Sequence, residues 1–324
     1  MVRQLARVSL KSGERMHCLL IEEPEASWAE DVQRLLVHKR DHVHWHIARA
    51  IEGPLDELET RFYLGVVNGE AVGNIMTVEH DGIGILGHVF TSPEQRRKGI
   101  ATRLMAAQMD DFRARNGRAL TLGTGFETPP YWIYHSFGFR SVGTGSGRMW
   151  YWTRPEYAAE LWRAALTGVA SLRWEHWPLL NLLCVQPHGD HLRHAARRIW
   201  GQRNFEGEFV AYKRDQEAGK RNVDVRVLEN GAGLVVGWAS VEDDPIWREA
   251  AALLDLFVHP AAAHAAAELF AALTLPARPV FAYAECGSPK VDLLRAHGFT
   301  PQSSWPDWVM SMGQKRDVQC WLRR

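Results

Sequence analysis

The stretch Thr91-Ser92-Pro93-Glu94-Gln95-Arg96-Arg97-Lys98-Gly99-Ile100-Ala101 joins an apolar strand to a helix through a basic turn that holds one glycine. Such a turn suits phosphate. The first amides of a helix have no intrahelical partner and sit at the positive end of its dipole, so a diphosphate can accept several hydrogen bonds there. Gly99 permits close approach, and Arg96, Arg97 and Lys98 add charge. Basic residues before a helix are also common as plain solvated charge, so the neighbouring sequence decides. Upstream, Ile83 to Phe90 reads as an apolar strand. Downstream, a helix from about Gly99 to Arg115 places Ala101, Leu104, Met105 and Phe112 on one face.

A second strand, Ala119 to Leu122, follows Asn116-Gly117. Then comes Pro129-Pro130-Tyr131-Trp132-Ile133-Tyr134-His135-Ser136-Phe137-Gly138-Phe139, a short helix opened by proline and closed by glycine. Before the central strand, Arg61 to Val67, Asn68-Gly69 and Ala71 to Val78 read as a hairpin.

With these elements in order, residues from about 60 to 150 resemble the GNAT superfamily of acetyl-CoA-dependent N-acetyltransferases. Arg96-Arg97-Lys98-Gly99-Ile100-Ala101 is similar to the family's Gln/Arg-x-x-Gly-x-Gly/Ala pyrophosphate motif, and Tyr134-His135-Ser136-Phe137-Gly138-Phe139 to its Tyr-x-x-x-Gly-Phe segment. The resemblance implies an α/β (α+β) fold with a central mixed, mostly antiparallel sheet flanked by helices. It implies acetyl-CoA as co-substrate, no metal, and an acyltransferase that acts on a primary amine of a small molecule or peptide. By the same resemblance Arg96, Arg97, Lys98, Gly99, Ile100, Ala101 and Thr102 meet the pyrophosphate. Val89, Phe90 and Thr91 line the acyl end, where a backbone N–H holds the oxyanion. Tyr134 takes the position from which the leaving thiolate is protonated, a role that suits a phenol of pKa near about 10.

An alkyl amine is protonated at neutral pH, so a base must act before it attacks, directly or through water. His88 on the central strand and Glu127 after the next strand are the candidates; Glu79 and His135 stand behind them. A strand histidine is as often a packed core residue, and alternation places His88 opposite Val89. No cysteine falls in the motif region to carry an acyl intermediate, so a sequential reaction through a ternary complex is expected. Two other classes stay open. A GNAT-like domain can decarboxylate a malonyl thioester, with Thr91, Thr121 or His88 assisting, or can bind CoA esters without turnover.

His42, His44 and His46 are spaced for a metal only on a strand. Residues 28 to 51 read as one or two helices, where these side chains diverge, and no acidic or cysteine partner completes a set. In the resembling family the first helices flank the acceptor, so the region is a candidate for substrate choice.

The 324 residues, 46% of them hydrophobic, suffice for two domains. Zero net charge argues against a general nucleic-acid or anionic-membrane partner. No apolar run approaches the roughly 20 residues that span a bilayer, and Cys18, Cys184, Cys286 and Cys320 form no close pair. A reduced, cytoplasmic protein is expected, as a monomer or homodimer.

The second half repeats the order of the first. Val225 to Leu228, Glu229-Asn230-Gly231 and Leu234 to Val241 read as a hairpin, and Leu253 to Val258 as a strand ending at His259-Pro260. An alanine-rich helix from about Ala261 to Leu273, a strand Val280 to Ala284 and Leu294-Arg295-Ala296-His297-Gly298-Phe299 follow. The basic glycine turn is replaced by Ala261-Ala262-Ala263-His264-Ala265, and Leu294 stands in the place of Tyr134. The expected organisation is therefore a catalytic domain over 1–153, a connecting helix or linker over 154–172, and a degenerate GNAT-like, non-catalytic domain over 173–324. Trp150, Trp152, Trp162, Trp174 and Trp177 read as packing residues.

Overall fold

The computed structural model describes residues 1–219, 224–311 and 314–324. The chain divides into two compact units, residues 1–157 with 173–179 and residues 158–172 with 180–324.

The first unit runs β1 (Val2–Ser9), β2 (Arg15–Glu22), α1 (Ala29–Leu35), α2 (Asp41–Glu52), β3 (Glu59–Val67), β4 (Glu70–His80) and β5 (Ile83–Thr91). It continues through α3 (Ile100–Ala114), β6 (Ala119–Gly123), α4 (Pro129–Ser136), β7 (Arg140–Ser141) and β8 (Arg148–Trp152). Its eight strands lie in the order β1-β2-β3-β4-β5-β6-β8-β7. Every neighbouring pair is antiparallel except β5 and β6. The β3–β4 hairpin turns at Asn68-Gly69, where φ is 51° and 85°, the twist that a two-residue hairpin loop favours. Both strands are buried along nearly their whole length, so they read as continuous apolar runs rather than alternating ones.

The core follows from α3. Its spacing sets Ile100, Leu104, Met105, Met109 and Phe112 on one stripe, packed on Met16, Tyr63, Ile75, Leu86 and Leu120 of the sheet. Each such side chain contributes about 1.5–3 kcal/mol on full burial. Glu79, fully buried, is held by Arg115 at 2.8 Å and by the Thr77 hydroxyl at 2.6 Å, while Arg115 also binds Asp111 at 2.9 Å. This network lies where Glu79 pairs with Gly84, the end of β5 remote from Thr91. Glu79 therefore has a structural task and no place among the candidate bases.

The second unit contains β9 (Leu166–Ser171), β10 (Leu192–His194), β11 (Ile199–Trp200), α7 (Glu206–Glu217), β12 (Asp224–Asn230), β13 (Val235–Asp244) and β14 (Arg248–Val258). It ends with α8 (Ala266–Ala271), β15 (Val280–Glu285), α9 (Pro289–Ala296), β16 (Thr300–Ser311) and β17 (Gln314–Arg323). The single turn α5 (Tyr157–Glu160) precedes β9, and α6 (His176–Cys184) lies between β9 and β10. A seven-stranded sheet has the order β16-β17-β15-β14-β13-β12-β9, again with one parallel pair, β14 and β15. The molecule is thus α+β, with two mixed, mostly antiparallel sheets flanked by helices.

Two expectations are corrected. Residues 154–172 do not form one connecting helix: α5 and a 3₁₀ turn at Leu161–Arg163 are their only helical parts. Leu166–Ser171 is instead an edge strand, paired with β12 from Leu166↔Asn230 to Ser171↔Arg226. Gly168 here adopts φ 144°, an extended mirror conformation that no helix uses. The alanine-rich helix is also shorter than expected, since Pro260–Ala265 is a 3₁₀ turn.

Candidate functional site

Three features meet around β5. The first is a bulge. β5 pairs with β4 up to Gly87↔Met76 and resumes at Phe90↔Asn74, so His88 and Val89 oppose the single residue Ile75. His88 takes up the extra length in a left-handed conformation, φ 51°. Its carbonyl accepts a 2.9 Å hydrogen bond from Nδ2 of Asn74, a fully buried residue. Val89 packs on the core under α3 and α4.

The second feature is a split. β5 and β6 pair for three residues only, Ile83↔Ala119, Gly84↔Leu120 and Ile85↔Thr121. From Leu86 to Thr91 the edge of β5 that faced β6 has no ladder partner among the described residues, so its backbone donors and acceptors are presented sideways.

The third is the helix start. Gly99 is the N-cap of α3, with φ 90° and ψ 9°, a conformation that costs other residues about 1–2 kcal/mol. The first intrahelical bond is Arg103 N to Gly99 O at 3.0 Å. The amides of Ile100, Ala101 and Thr102 are thus left without intrahelical acceptors. No side chain caps them and no acidic residue lies in the first turn. Arg96 and Arg97 are exposed beside this end. Lys98 is placed differently from its neighbours: its ammonium binds Glu14 Oε2 and Gln95 Oε1, both at 2.8 Å. Its carbonyl accepts the Lys11 amide at 3.1 Å, so Lys98 ties the turn to the loop after β1.

Tyr134 comes from α4, which starts at Pro129 and is closed by Gly138 at φ 98°. It is 7% exposed, and its ring lies 6.2 Å from that of Phe139. Burial pushes its phenol up to about 12. Glu127, the candidate carboxylate, is exposed on the turn before α4 with φ 54°. His135 on α4 is partly exposed, its ring 5.6 Å from that of Trp132 and stacked at 6.1 Å on that of Tyr131. His88 is half-buried, and burial, with Lys39, His38, His42 and His44 nearby, pushes its imidazole down to about 3. Residues 28 to 51 form α1 and α2, and no group of three or more potential metal ligands occurs among the described residues.

The second unit also has a split pair, since β14 and β15 part after Leu254↔Ala282. There an inserted segment is tied to both strands. The Asp255 carboxylate on β14 accepts the amides of Ala195 at 2.7 Å and Ala196 at 3.0 Å and pairs with His194 at 2.9 Å. Glu285 on β15 accepts the Leu192 amide at 2.6 Å. Burial alone would raise the Asp255 carboxyl, yet His194, Lys290 and the Ala195 amide outweigh it and hold the group at about 2. Arg193, 2% exposed, donates to the carbonyls of Leu183, Cys184, Gln186, His188 and Asp190, fixing the inserted segment. The turn before α8 is capped by His259 Nδ1, which accepts the Ala261 amide at 3.2 Å.

Sequence reasoning singled out the turn, Tyr134 and His88 as candidates. It missed Asn74, whose one signal is a polar residue inside an apolar strand, and it missed the inserted segment, which carries no local signal.

A split parallel pair beside a bulged strand and an uncapped helix start can receive an extended ligand ending in an anion. Residues 59–141 match the family model of the acetyltransferase (GNAT) domain, and the chain carries a domain of that family. No curated protein matches the chain in sequence. Solved structures similar to it include yncA of Salmonella typhimurium with acetyl-CoA, 20% identical, which covers 49% of this chain and 94% of that one, TM-score 0.39. A phosphinothricin acetyltransferase from Sinorhizobium meliloti in complex with acetyl-CoA is 16% identical over 49% of this chain and 88% of its own, TM-score 0.39. A spermidine N-acetyltransferase from Vibrio cholerae with CoA and spermine is 14% identical over 49% and 94%, TM-score 0.33.

Proposed function

We propose that the chain transfers the acetyl group of acetyl-CoA to a primary amine of a small molecule or peptide, by direct attack within a ternary complex. The observation that carries this reading is the uncapped, acid-free start of α3 beside the β5/β6 split, within the segment that matches the family model. The diphosphate is bound by the amides of Ile100, Ala101 and Thr102 with Arg96 and Arg97, and Lys98 braces the turn from behind. The pantetheine arm lies along the open edge of β5 near Val89, Phe90 and Thr91, as an added strand would. A backbone N–H at that edge stabilises the tetrahedral oxyanion.

Tyr134 donates a proton to the leaving thiolate, and a phenol raised to about 12 keeps that proton available throughout the neutral range. His88, held down at about 3, is too weak a base to store the proton of an ammonium. It orients water instead, while Glu127 offers an accessible carboxylate. The second unit, which has Ala261-Ala262-Ala263-His264-Ala265 in place of the basic glycine turn and Leu294 in place of Tyr134, supports the fold and binds no acyl-CoA. The weak basicity of His88 favours one second reading, loss of CO₂ from a malonyl thioester, which requires no amine to be deprotonated.

Thiol release from acetyl-CoA across a panel of primary amines tests the proposal. Release that depends on the amine, and that falls about 10²-fold or more in Arg97→Glu, supports it. Thioester decarboxylation without amine selects the second reading. Acetyl-CoA binding with no turnover marks a CoA-ester binder, and a trapped acetyl-enzyme would contradict direct attack.

A further inference from the structure

The second unit carries a cavity that the chemistry above leaves unused. It measures about 510 Å³, within the range of about 300–1,000 Å³ that small-molecule sites occupy. Its floor is a small apolar cluster, Leu192 of β10 with Val309 of β16 and Val318 of β17, against which Trp200 and Tyr283 pack. One wall is built by a bulge. β16 pairs with β17 at Trp305↔Val318 and again at Val309↔Arg316, so Pro306, Asp307 and Trp308 oppose the single residue Asp317. Asp307 takes up the excess at φ 54°, and its amide donates to the Asp317 carboxylate at 2.8 Å. A bulge re-aims the side chains beside it. Here Trp308 stacks on Trp305, centroids 5.3 Å apart, and lines the cavity while 64% exposed. Ile246 and Met310, also exposed, line it as well. Core packing does not account for a tryptophan held out by a left-handed residue with most of its surface in water.

The same cavity is lined by a buried acid. Asp244, at the end of β13, is 4% exposed. Its Oδ1 accepts the amides of Ile246 at 2.8 Å and Trp247 at 2.9 Å, while Oδ2 has no partner among the described residues. Arg198, the other charged side chain among the lining residues, is exposed and forms no ion pair with Asp244 among the described residues. A buried carboxylate gains more from an opposite charge than a hydrated guanidinium does, because its field is less screened. The negative face of an aromatic ring also attracts a cation. We infer that this cavity is a binding site for a small organic cation with an apolar body, its charged head at Asp244 and its body against Trp200, Tyr283 and Trp308. The inference is independent of the acetyltransferase reading, since every residue it uses lies in the second unit.

The test is calorimetric titration of the full chain, without acetyl-CoA, with three probes: benzyltrimethylammonium, 2-phenylethanol and phenylacetate. The ammonium is expected to bind at least about ten-fold more tightly than the alcohol or the anion. Asp244→Asn keeps an acceptor oxygen for the two amides and removes the charge, so it should weaken the ammonium about ten-fold and leave the alcohol within about two-fold. Trp308→Ala removes an exposed side chain without emptying the core. It should weaken the ammonium about five-fold, with thermal unfolding within about 3 °C of the wild type. Should Asp244→Asn fail to fold, the probe selectivity of the wild type and the loss in Trp308→Ala decide. No ammonium binding up to about 10 mM, phenylacetate binding as tight or tighter, or ammonium binding untouched in either folded variant overturns the inference. Capture on phosphatidylcholine vesicles with no affinity for the free ammonium overturns it too and marks a lipid surface instead.

Discussion

Tyr134 and Gly99 act by different physics. Tyr134 is a large aromatic in a helix, and its burial against Phe139 both anchors α4 and raises its phenol to about 12. The same packing thus keeps the phenol protonated throughout the neutral range. Tyr134→Phe keeps the ring and removes the proton, so kcat should fall about 10²-fold with KM for acetyl-CoA within about two-fold. An unchanged kcat would return Tyr134 to a packing role. Gly99 acts through its backbone alone: φ 90° turns the chain so that α3 starts bare. A Cβ there would lie 3.8 Å from the nearest atom, Cγ of Lys11. Space is open, and the demand for glycine is conformational.

At the scale of elements, α2 carries a buried histidine whose titration is coupled to folding. Burial pushes His46 from 6.5 to about 3. Between those values the unfolded chain takes up a proton that the folded chain refuses. The contribution is therefore fully present above pH 6.5 and is lost as pH falls toward 3, at up to about 1.4 kcal/mol per unit. His46→Phe removes this contribution, so urea unfolding measured from pH 7 to pH 4 should show a shallower decline than in the wild type. An identical slope would contradict it. The elements themselves were largely legible. Asn68-Gly69 marks the hairpin, and Pro129 and Gly138 bound α4, because turn residues act locally. The bulge was not, since one extra residue at His88 leaves apolar composition and alternation nearly untouched. Leu166–Ser171 was read as part of the connecting helix or linker over 154–172 because its strand character comes from pairing with β12, more than fifty residues away in sequence.

Across the whole molecule, the same arrangement of a split parallel pair occurs twice with opposite outcomes. In the first unit the edge of β5 stays open beside a bare helix start, whereas in the second Asp255 and Glu285 draw in the chain at Leu192, Ala195 and Ala196. The loss of basic residues and glycine before α8 was visible in Ala261-Ala262-Ala263-His264-Ala265. The anchoring of the inserted segment was not, because its hydrogen bonds join residues 60 and 93 positions apart. Calorimetric titration of the full chain with acetyl-CoA, repeated on Gly99→Glu, tests this asymmetry most directly. The account predicts one site per chain in the wild type, lost when a carboxylate is placed at the start of α3. Two sites, no site, or a single site that survives in Gly99→Glu would contradict it.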